Sequence, residues 1–76
     1  MGERLPVVSG REVRAVLESI GFEFTRQRGS HMMMRRTTEP YTRLVVPDHK
    51  EVAKGTLRGL IRDAGLTVED FVELLH

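Results

Sequence analysis

The chain has 76 residues, no cysteine, three histidines and a formal net charge of +1; at that length about 60% of the unfolded surface is buried on folding, which predicts one domain over residues 1–76 with a small core. Without cysteine there is neither a disulfide nor a thiolate metal site, and the histidines show no H-x3-H or HExxH spacing, so no metal or cofactor is expected. No run approaches the length of a membrane span and the start, MGERLPVV, lacks a basic-then-apolar leader, so the expectation is a cytoplasmic protein without membrane contact.

Leu5-Pro6-Val7-Val8 ends an extended lead-in over residues 1–8. Ser9 then opens a helix: Ser9 to Glu12 is a capping box, and Val8 and Val13 form the hydrophobic staple around it. Val13, Val16, Leu17 and Ile20 follow the spacing of one apolar helical face, and Gly21 supplies a left-handed stop. From Phe22 the period changes to two. Phe22 and Phe24 alternate with Glu23 and Thr25, and the run ends at Arg28-Gly29, a hairpin turn. A second strand runs from Ser30 to Arg36, and a loop through Thr37-Thr38-Glu39-Pro40 leads to a third strand, Tyr41 to Val46. Pro47 terminates that strand, because proline has no N–H to give a ladder. Short connections between three strands predict an antiparallel meander.

Thr56 to Ala64 reads as a second helix, with Leu57, Leu60, Ile61 and Ala64 on one face and a start that Gly55 leaves open by a few residues. Thr67 caps a short third helix, stapled by Leu66 and Phe71, with Phe71, Leu74 and Leu75 as its apolar edge. The expected architecture is therefore α+β: helix, three strands, helix, short helix. Each apolar stripe must bury itself against another layer, so the two main helices cover one face of the sheet and leave the other to solvent.

Charge is unevenly placed. Nine bases (Arg26, Arg28, Arg35, Arg36, Arg43, Lys50, Lys54, Arg58, Arg62) face three acids (Glu39, Asp48, Glu51) between Arg26 and Arg62, a local charge of about +6. Asp63 to His76 holds four acids and neither Lys nor Arg. Ten of the twelve bases are arginine, whose planar fork suits phosphate. A solvated charged surface and an RNA-binding surface both fit this composition. On the second strand His31, Met33 and Arg35 share one face and Met32, Met34 and Arg36 the other, and parity alone does not say which is the core. If Met32 and Met34 are core, His31 and Arg35 lie on the open face. The methionines read as packing before they read as a base-stacking platform, and with Tyr41 the only tyrosine, an aromatic-rich RNA-binding sheet is disfavoured.

His31 has two readings. One is a histidine that caps the turn or bonds the neighbouring strand. The other is an acid-base group: neutral imidazole, with a pKa of about 6.5, takes a proton from a sugar hydroxyl while flanking guanidinium groups hold the phosphate. RNA supplies its own nucleophile, the 2'-hydroxyl, so an acid, a base and cations suffice for cleavage without a metal. His49, in the loop after the third strand, is either an ordinary polar loop residue or the partner acid. His76, at the chain end, is expected to play no role. Arg26, Arg28, Arg35, Arg36 and Lys54 are the expected RNA contacts.

The stretches GFEFTRQRGSH from Gly21 to His31, Val46-Pro47-Asp48-His49, and Lys54-Gly55-Thr56-Leu57-Arg58 with Arg62-Asp63-Ala64-Gly65-Leu66 closely resemble the HicA (YcfA-like) toxins of toxin-antitoxin modules. The resemblance runs from the first helix to Phe71. It implies a double-stranded-RNA-binding-domain-like fold and an mRNA interferase, a small endoribonuclease silenced by a HicB-type antitoxin. It places the active histidine of the Gly-Ser-His element at His31, with Gly29 and Ser30 as the turn that positions it. Many members carry a second histidine directly after the first; here that position is Met32. The alternatives from other classes are a non-catalytic RNA-binding domain with the same basic face, and a domain that docks an acidic protein.

Overall fold

Ser9 and Glu12 start the first helix as expected. The Ser9 hydroxyl accepts from the Glu12 N–H at 3.1 Å and the Glu12 carboxylate accepts from the Ser9 N–H at 2.8 Å, so two of the donors that every helix start leaves unpaired are satisfied. The computed structural model describes residues 4–76, and the first three residues of the expected lead-in lie outside it. The helix, α1, spans Gly10–Ser19. Its first residue has to be glycine. The Gly10 N–H donates to the His49 carbonyl at 2.9 Å, and a Cβ at residue 10 would run into the Pro47 carbonyl oxygen.

Three strands follow: β1 (Phe22–Arg28), β2 (His31–Arg36) and β3 (Arg43–Pro47), antiparallel in the order β1-β2-β3. The hairpin turn falls at Gly29, whose φ of +58° is the left-handed conformation that glycine adopts without Cβ strain. The third strand starts two residues later than expected. Tyr41 has a φ of +56° and its N–H closes a turn onto the Thr38 carbonyl at 2.8 Å, so pairing begins only after the chain has turned. The strand also includes Pro47, opposite His31. A proline is tolerated there because β3 is an edge strand, with one side of its backbone free of ladder partners.

The second helix, α2 (Lys54–Asp63), starts two residues before Thr56, and the third, α3 (Val68–Leu75), carries a second reciprocal cap between Thr67 and Asp70. All three helices lie on one face of the sheet. Val13, Val16 and Leu17 of α1, Leu57, Leu60 and Ile61 of α2 and Phe71 of α3 join Met32, Met34, Leu44 and Val46 of the sheet in one buried cluster. This is the helix-strand-strand-strand-helix order with a terminal helix, and it settles the parity of β2: the even-numbered methionines are core.

Candidate nucleic-acid interface

The register places three rows of side chains across the open face of the sheet. Glu23, Arg35 and Arg43 form one row, Arg26, Met33 and Val45 the next, and Arg28, His31 and Pro47 the third. Strict alternation from Glu23 would have sent Arg26 and Arg28 toward the helices and Thr25 and Gln27 outward. A β-bulge prevents this: Phe24 pairs with Met34 but Arg26 pairs with Met33, so Thr25 is an extra residue on β1 and the parity of the strand inverts after it. The Thr25 hydroxyl donates to the Met33 carbonyl at 3.1 Å, holding the bulge against β2. The consequence is that both arginines of the hairpin share a face with His31.

His31 is exposed, and among the described residues no hydrogen bond or ion pair holds its imidazole; the same is true of His49. The turn-capping reading of His31 thus finds no partner in the structure. What orders this end of the sheet is Asp48. Its carboxylate accepts from Arg11 Nε of α1 at 3.2 Å and from Gln27 Nε2 of β1 at 3.1 Å. Gln27 also donates to the Gly29 carbonyl at 2.9 Å, and the Asp48 N–H donates to the Ser30 carbonyl at 2.6 Å. One residue therefore links α1, the hairpin turn before His31 and the loop that carries His49. Gln27 can reach it only because the bulge turned its side chain to the helical side.

The Arg11 guanidinium, then the Gln27 amide, hold the Asp48 carboxyl below its ordinary value of 3.8, with the positive charge of His49 adding in the same direction. A carboxyl that is more acidic in the folded chain binds fewer protons there than in the unfolded chain, so it stabilises the fold above the ordinary value and ceases to do so as pH falls through its folded value. Asp48→Asn should therefore be less stable than wild type at pH 7. The difference in melting temperature between the two should shrink below about pH 4, a comparison that thermal melts across an acid series read directly.

The remaining site residues separate into those on the open face and those elsewhere. Arg26 and Arg28 are exposed, with no ion-pair partner among the described residues. Arg35 is on the same face but shares its charge with Glu23 at 2.9 Å. Arg36 is not on that face. It points to the helical side, where Nη2 donates to the Ala64 carbonyl at 3.1 Å and the guanidinium lies 4.6 Å from the Phe22 ring centroid, so its partners are internal to the fold. Lys54 opens α2 in the helical layer, and the structure does not bring it into the rows. Arg43 lies on the open face beside Arg35 and was not among the expected RNA contacts; starting the alternation of β3 at Leu44, a core residue, would have found it. His76 borders a cavity of about 520 Å³ beside α3, lined also by Arg4, Val68, Glu69, Val72 and Glu73, on the acidic tail rather than the sheet.

Fold and site together define a small α+β domain that hides one sheet face under helices and presents on the other four arginines and an exposed histidine without a side-chain partner among the described residues. The family of that domain is also evident. The model of the family described as the HicA toxin of bacterial toxin-antitoxin systems matches residues 10–66, from the start of α1 to the end of the α2 region, and the chain belongs to that family. Membership makes it the toxin of a toxin-antitoxin module and implies an antitoxin as its partner. No curated protein matches the sequence. No helix among the described residues is long and apolar enough to cross a membrane.

Proposed function

We propose that this toxin is an endoribonuclease of the mRNA interferase kind, with His31 as its acid-base residue and Arg26 and Arg28 as its first phosphate contacts. The observation that carries this reading is the third row of the open face, where an exposed, unbonded imidazole stands across the strand pair from Arg28. His31 takes the proton of an RNA 2'-hydroxyl, the 2'-oxygen attacks the adjacent phosphorus, and the 5'-oxygen of the next nucleotide leaves with a proton supplied by a second group. The products are a 2',3'-cyclic phosphate and a free 5'-hydroxyl. His49, two residues beyond the cross-strand partner of His31, is the proposed donor of that proton. Arg35, Gly29 and Ser30 act in support, the first on phosphate and the other two as the turn.

The neighbouring position sharpens the assignment. Many relatives carry a second histidine at the position of Met32, and Met32 is 1% exposed, packed behind the sheet. The side chain exposed at this end of the strand is that of His31, which supports its assignment. The same burial favours a second reading, RNA binding without cleavage, should the family's chemistry require the second imidazole. Incubating the protein with RNA in excess EDTA separates the two. Cleavage with cyclic-phosphate and 5'-hydroxyl ends is the expected result, whereas intact RNA held with a log-log salt slope near 0.7 per phosphate contact would establish the second reading. An antitoxin of the HicB type is proposed to act by covering the basic face, by occlusion and charge complementarity.

A further inference from the structure

The middle row of the open face is unusual for a solvated sheet surface. Between arginines on both sides it carries Met33 and Val45, and Val45 is 44% exposed, although the open face of an antiparallel sheet is ordinarily polar. The surface is also concave here. Thr25, Arg26, Met33, Arg35, Arg43 and Val45 surround a depression of about 230 Å³, with the bulge at Thr25 forming one wall. It lies two residues along β2 from His31, about 7 Å at the rise of a strand.

We propose that this depression is a nucleobase subsite for the nucleotide next to the cleaved bond. The proposal rests on the RNA reading given above and adds to it the place where sequence preference arises. Met33 and Val45 supply the apolar floor on which one face of a base lies, and Arg26 and Arg43 flank it as cations over or beside the ring. Glu23 already draws on Arg35, which leaves Arg26 and Arg43 as the free donors. A guanidinium donates and never accepts, and no carboxylate lines the depression. The subsite therefore favours guanine, whose O6 and N7 present two adjacent acceptors to one guanidinium fork. The bulge has a second use on this account: it turns Arg26 outward and hollows the surface at once.

The test uses the His31→Ala protein, so that substrate survives, and two short RNA oligonucleotides of equal length, one carrying guanine at the central position and one abasic there. The phosphates are the same in both, so the difference in affinity measures the base alone. The guanine-bearing strand should bind about five- to tenfold more tightly, the lower end of what one stacked base contributes. Val45→Ser and, independently, Met33→Thr should remove that difference while the affinity for the abasic strand and its salt slope stay as they were. Val45 is exposed, so its substitution leaves the fold standing even where that at Met33 costs stability. Equal affinity for the two strands, or a difference that survives both substitutions, overturns the subsite and leaves the RNA reading intact. No affinity for either strand overturns both.

Discussion

His31→Ala is expected to lose cleavage and keep the fold. A single acid-base group contributes about 10²- to 10⁴-fold to a rate, so single-turnover cleavage should fall by at least a hundredfold on that basis. The side chain is exposed and, among the described residues, unbonded, so its removal should change stability by no more than about 0.5 kcal/mol. RNA affinity should be largely retained, since Arg26 and Arg28 are untouched. In cells without antitoxin the variant should permit growth where wild type arrests it. Wild-type rates in the variant would remove His31 from the mechanism. If His49 is the paired acid, His49→Ala should abolish one limb of a bell-shaped pH–rate profile and leave the other.

Phe71→Ala is expected to have the largest effect on stability. Phe71 is 1% exposed and one of the largest fully buried side chains, and its helix, α3, packs on both α1 and α2. Truncating a buried phenylalanine costs about 3–5 kcal/mol, and a domain of this size has a total stability toward the low end of about 5–15 kcal/mol. Urea unfolding should show the midpoint collapse toward zero denaturant. Leu74→Ala, on the 42% exposed side of the same helix, should shift it little. A small effect at Phe71 would mean that the core is complete without α3. The question has weight because the family match ends at residue 66, so α3 lies beyond the matched residues although the resemblance read from the sequence runs to Phe71.

Most of the fold was legible along the chain. The capping box at Ser9, the Thr67 cap, the apolar faces of α1 and α2 and the hairpin at Gly29 are local in origin: each depends on residues within one or two turns of one another, and neighbouring side chains reveal them. The expectations that moved were strand and helix ends. Tyr41 reads as a strand residue by propensity but is held in a left-handed turn by its bond to Thr38, and α2 begins at Lys54 without a side-chain cap to announce it. For the candidate site, His31 and its arginines were visible as types and spacings, but their orientation was not. By parity Arg36 falls on the face opposite His31, so an RNA contact there was the weaker expectation, whereas Arg28 reaches the open face only because of the bulge.

The sequence by itself determined the element order, the single sheet covered by helices, the concentration of arginine around one strand histidine and the family resemblance, because these follow from short-range periodicity and composition. The tertiary structure decided which side of that sheet carries them. Burial of Met32 and Met34 turns His31 and Arg35 to the open face, and one extra residue does the rest: Thr25 inverts the alternation of β1, turns Arg26 and Arg28 toward the face of His31, and sends Gln27 back to the Asp48 network that fixes the hairpin. A bulge is a mismatch between two paired strands, so no single stretch of chain contains the information to place it. Register, which here separates the arginine bound inside the fold from those on the open face, is a property of the pair.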